Sequence, residues 1–385
     1  MNVSPILARK NRARALLAAA SAAFIAALPV ATQAETLESQ YHDFEVTTVV
    51  DGLEHPWAMA FLPDGDKLIT ERAGRLRLLK KNGELVDEPI KGLPEMAVAG
   101  QGGLLDIVLH PDFEENHLLV LSYAHRNDEG LTTRYAKARF EEDELQDVEV
   151  IFEALPRSDS GQHFAGRIAF DQDKSLYVTV GDRGEMQRAQ DTGDDAGGVH
   201  HITLDGEPAP SNPWLDDPEI NDTFFTYGNR NIQGMTRHPE TGVIWSHEHG
   251  PRGGDEINII RGGTNYGWPE VTHGISYGGE PISDRTDKPG ISAPLHYWDP
   301  SIAPSGMDFY TGEQFPEWQG DLFVGALKFQ KLVRLRINDE LELVEEEDLL
   351  ADQGHRIRAV YDGPEGAIWL LTDSSDGKVL KLTSP

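Results

Sequence analysis

The sequence contains no cysteine, and it is poor in cations and in long apolar runs. Without a thiol the chain can form no disulfide, thiolate zinc site, iron–sulfur cluster, covalent c-type haem or lipidated cysteine. Its 34 lysine and arginine residues stand against 65 acidic residues, a formal net charge of −31. Such a surface repels nucleic acid and anionic membranes, so we expect neither as a partner.

One long apolar run, from Leu16 to Ala31, lies near the N-terminus. Four cations precede it, no acid accompanies it, and Ala34 follows in the position where a signal peptidase cuts. At about 16 residues the run is shorter than the roughly 20 that a membrane helix needs. We predict a signal peptide over residues 1–34, with an uncleaved anchor as the alternative. Its removal would leave 351 residues with a net charge of −35, expected in the periplasm or outside the cell.

The rest of the chain shows little helical periodicity. Short apolar or alternating segments recur between turns rich in glycine, proline and aspartate, a pattern typical of strands. A polar turn followed by a β-rich run occurs six times, at residues 61–70, 109–122, 170–179, 237–245, 310–324 and 361–370. Each repeat has about 58 residues, enough for a four-stranded sheet with long loops. We predict an all-β fold, a six-bladed β-propeller forming one domain over residues 35–385, with a β-sandwich as the alternative.

Two segments differ from this repeat. Residues 262–300 contain many glycine, tyrosine and proline residues but little strand pattern. They predict a long loop on one face, where propeller sites are usually built. The acidic run Glu345–Asp348 predicts a solvated hairpin turn rather than an ion site.

Motifs for common cofactors are missing from the sequence. No Gly-x-Gly-x-x-Gly follows a strand pattern and no Walker loop is present, which argues against nicotinamide and nucleotide cofactors. His247 and His249 are two residues apart, whereas zinc motifs on helices place their histidines four apart. We therefore expect no transition-metal site at this pair.

Two polar clusters have side chains suited to chemistry at an alcohol or a carbonyl. His163 stands between glycines in Gly161-Gln-His-Phe-Ala-Gly-Arg167. A neutral imidazole there could accept a proton, although a structural histidine fits equally well. Arg230 and Asn231 are adjacent in Tyr227-Gly-Asn-Arg-Asn-Ile-Gln-Gly234. They could donate to an oxyanion or quinone oxygen, or stabilise an ordinary loop.

A third cluster has the ligand chemistry of calcium. It comprises His249-Gly-Pro-Arg-Gly-Gly-Asp-Glu-Ile-Asn258, followed by Asn265-Tyr-Gly-Trp-Pro269. Glycine and proline expose carbonyl oxygens, and Asp255 and Glu256 add carboxylates, which favours Ca²⁺ over a simple solvated loop.

Cations gather near the C-terminus, although they are scarce overall. Lys328 is followed by Arg356 and Arg358, which are two residues apart and would face one side of a strand. These three side chains could hold an anion or pair with surface acids.

Taken in order, these and other motifs resemble the glucose/sorbosone dehydrogenase family of soluble quinoproteins, and within it the aldose sugar dehydrogenases. The similarity covers almost all of the mature chain. It is carried by the segments 53–58, 61–65, 70–77, 102–105, 110–113, Gly181-Asp-Arg-Gly184, Gly228-Asn-Arg-Asn231, Gly253-Gly-Asp-Glu-Ile-Asn258 and Asn265-Tyr-Gly-Trp-Pro269.

The resemblance implies a six-bladed propeller that binds pyrroloquinoline quinone (PQQ) and Ca²⁺ and oxidises aldose sugars at C1 by hydride transfer to the quinone. It implies His163 as the general base, with Arg230 and Asn231 at the reactive quinone edge. Further polar cofactor contacts would come from Gln101, Ser301, Lys328, Arg356 and Arg358. PQQ has three carboxylates, which would explain the gathered cations. The cofactor's calcium would bind the carbonyls of Gly250 and Pro251, and a separate structural calcium would bind Glu256 and the Tyr266 carbonyl.

The chain also departs from the glucose-specialised members of that family. It has Gln162 where they have an acid before the base, and His249 where they have a glutamine before Gly-Pro. Its segment from Asn265 to Trp298 is shorter than theirs. We therefore expect an open site, broad aldose specificity and a monomer, with electrons passing to an external quinone or cytochrome. A calcium-dependent propeller lactonase and a non-catalytic binding propeller are the alternatives.

Overall fold

The computed structural model describes residues 1–2 and 35–385. The predicted signal peptide lies outside the described residues, apart from the first two, and stays a prediction. The described chain is nearly all β, with 25 strands, one short α-helix, α1 (Phe113–Asn116), and three 3-10 turns. In this part of the chain no helix is long and apolar enough to cross a bilayer.

Six small sheets surround a central axis as the blades of a propeller, which confirms the predicted fold. Blade I contains β3 (Pro56–Phe61), β4 (Lys67–Glu71) and β5 (Arg75–Leu79). Blade II contains β6 (Leu104–Leu109), β7 (Leu118–Asn127), β8 (Gly130–Glu141) and β9 (Glu144–Glu153). Blade III contains β10 (Ile168–Phe170), β11 (Leu176–Val180), β12 (Gly198–Ile202), β13 (Phe224–Tyr227) and the short parallel β17 (Thr264–Asn265).

The remaining three blades follow the same plan. Blade IV contains β14 (Ile232–Arg237), β15 (Ile244–Glu248), β16 (Asp255–Ile259) and β18 (His296–Trp298). Blade V contains β19 (Pro304–Phe309), β20 (Leu322–Ala326), β21 (Lys331–Ile337) and β22 (Leu343–Leu349). Blade VI contains β23 (Ile357–Asp362), β24 (Ile368–Thr372), β25 (Gly377–Thr383), β2 (Asp43–Leu53) and β1 (Glu35–Glu38).

The two ends of the chain meet in blade VI. The N-terminal strand β2 pairs antiparallel with the C-terminal strand β25, with Thr47 opposite Lys381. Six apolar cores lie between neighbouring blades; the core between blades VI and I contains Met59 and Leu371. Each of the six sequence repeats forms the turn between the first two strands of one blade. The innermost strands therefore all begin at the same face.

The acidic run Glu345–Asp348 is not the solvated turn that its composition predicts. It lies in the edge strand β22, where Glu347 faces Arg334 of β21 in register. The guanidinium of Arg334 is fully buried and binds Glu345, Glu347 and Asp321. The charge run is therefore a strand whose inward carboxylates neutralise a buried arginine, a pairing that composition does not reveal.

Candidate active site

A cavity of about 400 Å³ lies where the innermost strands begin, and all six blades contribute to its lining. Five of the predicted cofactor residues line it: Gln101, Asn231, Lys328, Arg356 and Arg358. Apolar surface comes from Trp57, Leu105, Phe164 and Leu327. The structure thus brings together predicted cofactor residues that are up to 257 positions apart, from Gln101 to Arg358.

The charged residues of the lining are mostly positive. They are Arg72, Lys328, Arg356, Arg358 and one carboxylate, Asp373. Arg356 and Arg358 both donate to Oδ2 of Asp373, at 3.1 and 3.0 Å. Burial alone would raise the pKa of Asp373, but the two arginines outweigh it and hold that pKa well below its ordinary value. Four cations and one ionised carboxylate give this lining a formal charge of +3.

His163 lies beside this cavity, in the segment between β9 and β10, and is buried. Its backbone φ of 48° is in the left-handed region, and its N–H donates to Oε1 of Gln101 at 2.8 Å. The imidazole Nδ1 lies 2.5 Å from Oδ1 of Asp182. Asp182 also accepts hydrogen bonds from the Trp268 indole and from the Gly184 N–H, both at 2.7 Å.

Asp182 decides which nitrogen of His163 can act as a base. Burial alone would raise the pKa of Asp182, but the hydrogen bonds from His163 and Gly184 and the nearby positive charge of Arg230 contribute to lowering it below its ordinary value. An ionised carboxylate only accepts, so Nδ1 carries the proton and Nε2 keeps its lone pair. The pair can therefore remove a proton from an alcohol and stabilise the imidazolium that forms.

Arg230 lies near the same pair, and its carbonyl accepts a hydrogen bond from the Asp182 N–H at 2.9 Å. Its Nη1 donates to the carbonyls of His249 and Gly250, at 3.0 and 3.1 Å. Its guanidinium lies 5.3 Å from the centre of the Trp268 ring. Because Trp268 donates to Asp182, this tryptophan joins the arginine to the candidate base.

The side chain of Asn231 connects the segment that carries the base to the cationic group. Its Oδ1 accepts from the Ala165 N–H at 3.2 Å and from the Gln233 amide at 3.3 Å. Gln233 in turn accepts from Arg358 at 3.2 Å. One hydrogen-bonded network thus extends over blades III, IV and VI.

Two residues around blade IV that were expected to bind ligands bond to each other in this structure. Asp255, expected to offer a carboxylate to calcium, accepts from Ser301, Gly250 and Ala303, so its oxygens are used within the protein. Ser301, expected to contact the cofactor, bonds to Asp255 and is not part of the cavity lining. The sequence shows which residue types are present. It does not show that Asp255 and Ser301 pair, because that contact depends on how β16 meets the start of blade V.

A second, smaller cavity beside Arg230 has the better ligand set for Ca²⁺. Glu248 and Glu256 lie opposite each other on β15 and β16, and Tyr266 lines the same cavity. Burial and the charge of Glu248 raise the pKa of Glu256 to about 8. Asn258 lies between the two carboxylates, and its Oδ1 is buried without a hydrogen-bond partner in the described chain.

These groups fit a hard divalent cation. Two facing carboxylates on neighbouring strands repel each other, and calcium prefers carboxylate, amide and carbonyl oxygens. Of the other predicted ligands, Gly250 lines the small cavity, but its carbonyl already accepts from Arg230. Pro251 follows it in the β15–β16 turn and is buried.

Comparison with known proteins agrees with the sequence motifs. The family model for glucose/sorbosone dehydrogenases matches residues 53–381. The chain belongs to this family. Within the family, the aldose sugar dehydrogenase YliI of Escherichia coli K12 is 40% identical over 344 residues, covering 88% of this chain and 92% of its own.

Solved members of the family have the same fold. The apo form of the soluble aldose sugar dehydrogenase from Escherichia coli has a TM-score of 0.86 at 39% identity, covering 89% of this chain and 100% of its own. The PQQ-bound aldose sugar dehydrogenase from Streptomyces coelicolor has a TM-score of 0.73 at 27% identity, covering 92% and 99%. The family predicted from the motifs is therefore confirmed.

Four residues of the site escaped the sequence analysis: Arg72, Asp182, Glu248 and Asp373. Asp182 was visible in the family motif Gly181-Asp-Arg-Gly184 but had no role. Arg72 likewise lies in the motif segment 70–77 without an assigned role. Glu248 and Asp373 are single charged residues in a chain with many, and only their position in the fold distinguishes them.

Proposed function

We propose that this protein is an aldose sugar dehydrogenase that uses PQQ and Ca²⁺ and oxidises sugars at C1 to aldonolactones. The observation that carries the proposal is the cavity with a formal charge of +3 beside the His163–Asp182 pair. PQQ has three carboxylates, so the charge of the cavity matches that of the cofactor. A propeller lactonase would need no such group of cations.

The lining offers a contact for each kind of surface on the cofactor. Its carboxylates would bind Arg72, Lys328, Arg356 and Arg358, and its ring would lie against apolar side chains such as Trp57. A structural calcium would be held by Glu256, Glu248 and the Tyr266 carbonyl in the small cavity. The cofactor's own calcium would be held by the carbonyls of Gly250 and Pro251. When bound, PQQ supplies the quinone carbon that accepts a hydride, and calcium acts as a Lewis acid.

The side chains of the protein accept the proton of the substrate and stabilise the charges that then develop. Nε2 of His163 takes the proton of the C1 hydroxyl, because an alkoxide is a better hydride donor than a neutral alcohol. Asp182 stabilises the resulting imidazolium through the Nδ1 hydrogen bond. Arg230, held against the Trp268 ring, offers positive charge where an oxyanion develops.

The finer assignments follow from the chain's own sequence. The predicted signal peptide supports a periplasmic or secreted location. Gln162 beside the base and the short segment from Asn265 to Trp298 support broad aldose specificity and a monomer. An external quinone or cytochrome would take the electrons.

Reconstitution tests the proposal. Purified apoprotein is mixed with PQQ and Ca²⁺, and reduction of an artificial dye is followed with glucose and other aldoses. We expect turnover that requires both additions and a sugar. Apoprotein with PQQ alone and with Ca²⁺ alone are the controls. Absence of calcium-dependent sugar oxidation would refute the proposal and favour a hydrolase or a binding propeller.

A further inference from the structure

Arg183, which follows Asp182, is a buried cation that the mechanism above does not use. Only 2% of its surface is exposed, and among the described residues it forms no ion pair with a carboxylate. Burial lowers the pKa of its guanidinium to about 9, and its Nε has no hydrogen-bond partner in the described chain. A buried charge without a counter-ion is costly, so its retention needs a reason.

The guanidinium contacts the segment that carries the candidate base. Nη1 donates to the Gln162 carbonyl at 2.5 Å and Nη2 to the Ser160 carbonyl at 2.7 Å. The same group lies 3.5 Å from the centre of the Phe164 ring. Its contacts therefore lie on both sides of His163 in the sequence.

That segment has an unfavourable backbone conformation. His163 and Ala165 have φ values of 48° and 54°, which side chains with a Cβ rarely adopt. Such a conformation is unfavourable for a residue with a Cβ and persists only where the surroundings hold it in place. Gly181, two residues before Arg183, also packs against the backbone of His163, since a Cβ there would lie 2.1 Å from the His163 carbonyl oxygen.

We propose that Arg183 is a positioning residue for the base: it clamps Ser160–Phe164 so that His163 keeps its hydrogen bond to Asp182. The proposal rests on the proposed function, in which His163 removes the proton. Arginine suits this task because its planar fork donates to two carbonyls at once while its face stacks on a ring. Lysine has neither the planar fork nor a flat face that could stack on the ring.

The test compares R183M with the matched control R188M. Methionine keeps much of the side-chain length but has no donor. Arg188, in the neighbouring 3-10 turn Met186–Gln190, bonds to Asp194 and the Pro156 carbonyl, outside Ser160–Phe164. The measurements are kcat, KM, the Kd for PQQ, and the low-field proton resonance of the His163–Asp182 hydrogen bond, recorded with and without PQQ and Ca²⁺.

For R183M we expect kcat to fall about 10- to 100-fold, because small misplacements of a catalytic group have effects of this size. KM and the Kd for PQQ should stay within about twofold, and the low-field resonance should shift or disappear. R188M should keep both kcat and the resonance. A wild-type kcat in R183M overturns the proposal, and so does a loss of kcat with an unchanged resonance, because Arg183 would then not act through His163.

If R183M does not fold, the variant R183K takes its place in the test. We expect kcat to fall at least about fivefold with KM unchanged, and a wild-type kcat overturns the proposal. Failure of the proposed function gives a different result, namely no sugar oxidation by the wild-type holoenzyme. The resonance in the apoproteins would then still show whether Arg183 positions His163.

Discussion

At the scale of single residues, buried carboxylates arrange the groups that would contact the ligands. Asp182 orients His163, and Asp373 holds Arg356 and Arg358 side by side. The pKa of both aspartates is lowered because hydrogen bonds and nearby positive charge outweigh burial, so both are ionised at neutral pH. Their shared effect is preorganisation, since the histidine tautomer and the arginine rotamers are set before a ligand arrives.

Replacing Asp182 with asparagine should impair catalysis without affecting cofactor binding. An amide cannot stabilise an imidazolium as a carboxylate does, and it allows the wrong tautomer of His163. We expect D182N to lower kcat about 10²- to 10⁴-fold, the usual contribution of a general base, with the Kd for PQQ unchanged. D128N, at an exposed turn on the same face, is the control for steady-state kinetics. A kcat within threefold of wild type would remove Asp182 from the mechanism.

Replacing Arg358 with glutamine should weaken cofactor binding. Hydrogen bonds to charged groups contribute about 1.5 to 3 kcal/mol, so we expect the Kd for PQQ to rise about 10- to 100-fold. Fluorescence or calorimetric titration of the apoprotein measures it, and R139Q, at an exposed arginine of blade II, is the control. Equal affinity in R358Q and wild type would contradict the assignment of the cavity to an anionic cofactor.

At the scale of strands, two pairings have functional or structural consequences. The pairing of β15 with β16 places Glu248 opposite Glu256, which is unfavourable unless a cation or a proton lies between them. The pairing of β2 with β25 joins the two chain ends and closes the ring. Phe44 of β2 is buried against Trp318 of blade V, so the N-terminal strand also anchors a neighbouring blade.

The Glu248–Glu256 pair predicts a pH dependence that calcium should abolish. Without metal, the pKa of Glu256 is about 8 in the folded protein, against about 4.3 when unfolded. Its contribution to stability is therefore complete below pH 4 and is lost as the pH rises towards 8. We expect Ca²⁺ to raise Tm more at pH 8 than at pH 5 in differential scanning calorimetry.

The variant E256Q provides the check on that expectation. Its metal-free Tm should depend less on pH, and Ca²⁺ should no longer raise it. E115Q, at an exposed glutamate of α1, should behave as wild type. If calcium stabilises E256Q as much as wild type, the ion binds elsewhere.

Truncating Phe44 tests the closure of the ring. We expect F44A to lower the free energy of unfolding by about 3 to 5 kcal/mol, the usual effect of removing a buried phenylalanine. Urea unfolding measures it, with V46A, a partly buried site on the same strand, as the milder control. A loss below 1 kcal/mol would show that the N-terminal strand contributes little to the fold.

At the scale of the whole molecule, charge and blade contacts are both organised around the axis. The chain carries a net charge of −31, yet the lining of the axial cavity is positive. Carboxylates also join neighbouring blades: Asp106 of blade II accepts from the Ile168 N–H of blade III, and Asp308 of blade V accepts from the Asp362 N–H of blade VI, both at 3.0 Å. The inner strands are thus held together by side chains where the blades cannot pair as sheets.

Salt should have opposite effects on folding and on cofactor binding. Raising NaCl from 0.05 to 0.5 M shortens the screening length below about 10 Å, which weakens the repulsion among surface acids and the attraction of the cavity for an anion. We expect the Tm of the apoprotein to rise by a few degrees and the Kd for PQQ to rise severalfold. Sucrose, which screens no charge, is the control. If salt stabilises the fold and also strengthens PQQ binding, or weakens both, the result would contradict this charge distribution.

Much of this protein could be predicted from local sequence. The six turn-and-strand repeats predicted the six blades because each turn and its following strand are formed by adjacent residues. Continuous motifs point to His163, Arg230, Asn231 and Glu256 as candidate site residues, because each lies within one short segment. The segment Glu345–Asp348 was assigned wrongly because its partner, Arg334, lies on another strand.

The tertiary structure alone decided which distant residues meet. Trp268 reaches Asp182 across 86 positions, and Asp373 joins Arg358 to the cavity lining. Glu248 and Glu256 face each other only through the register of β15 and β16. Such contacts leave no periodic pattern in the sequence, because they form only when the ring closes and loops from separate blades converge on one axis. The repeating unit and the residue types available for chemistry can be read from local sequence, whereas closure of the ring selects which of those residues meet in the site.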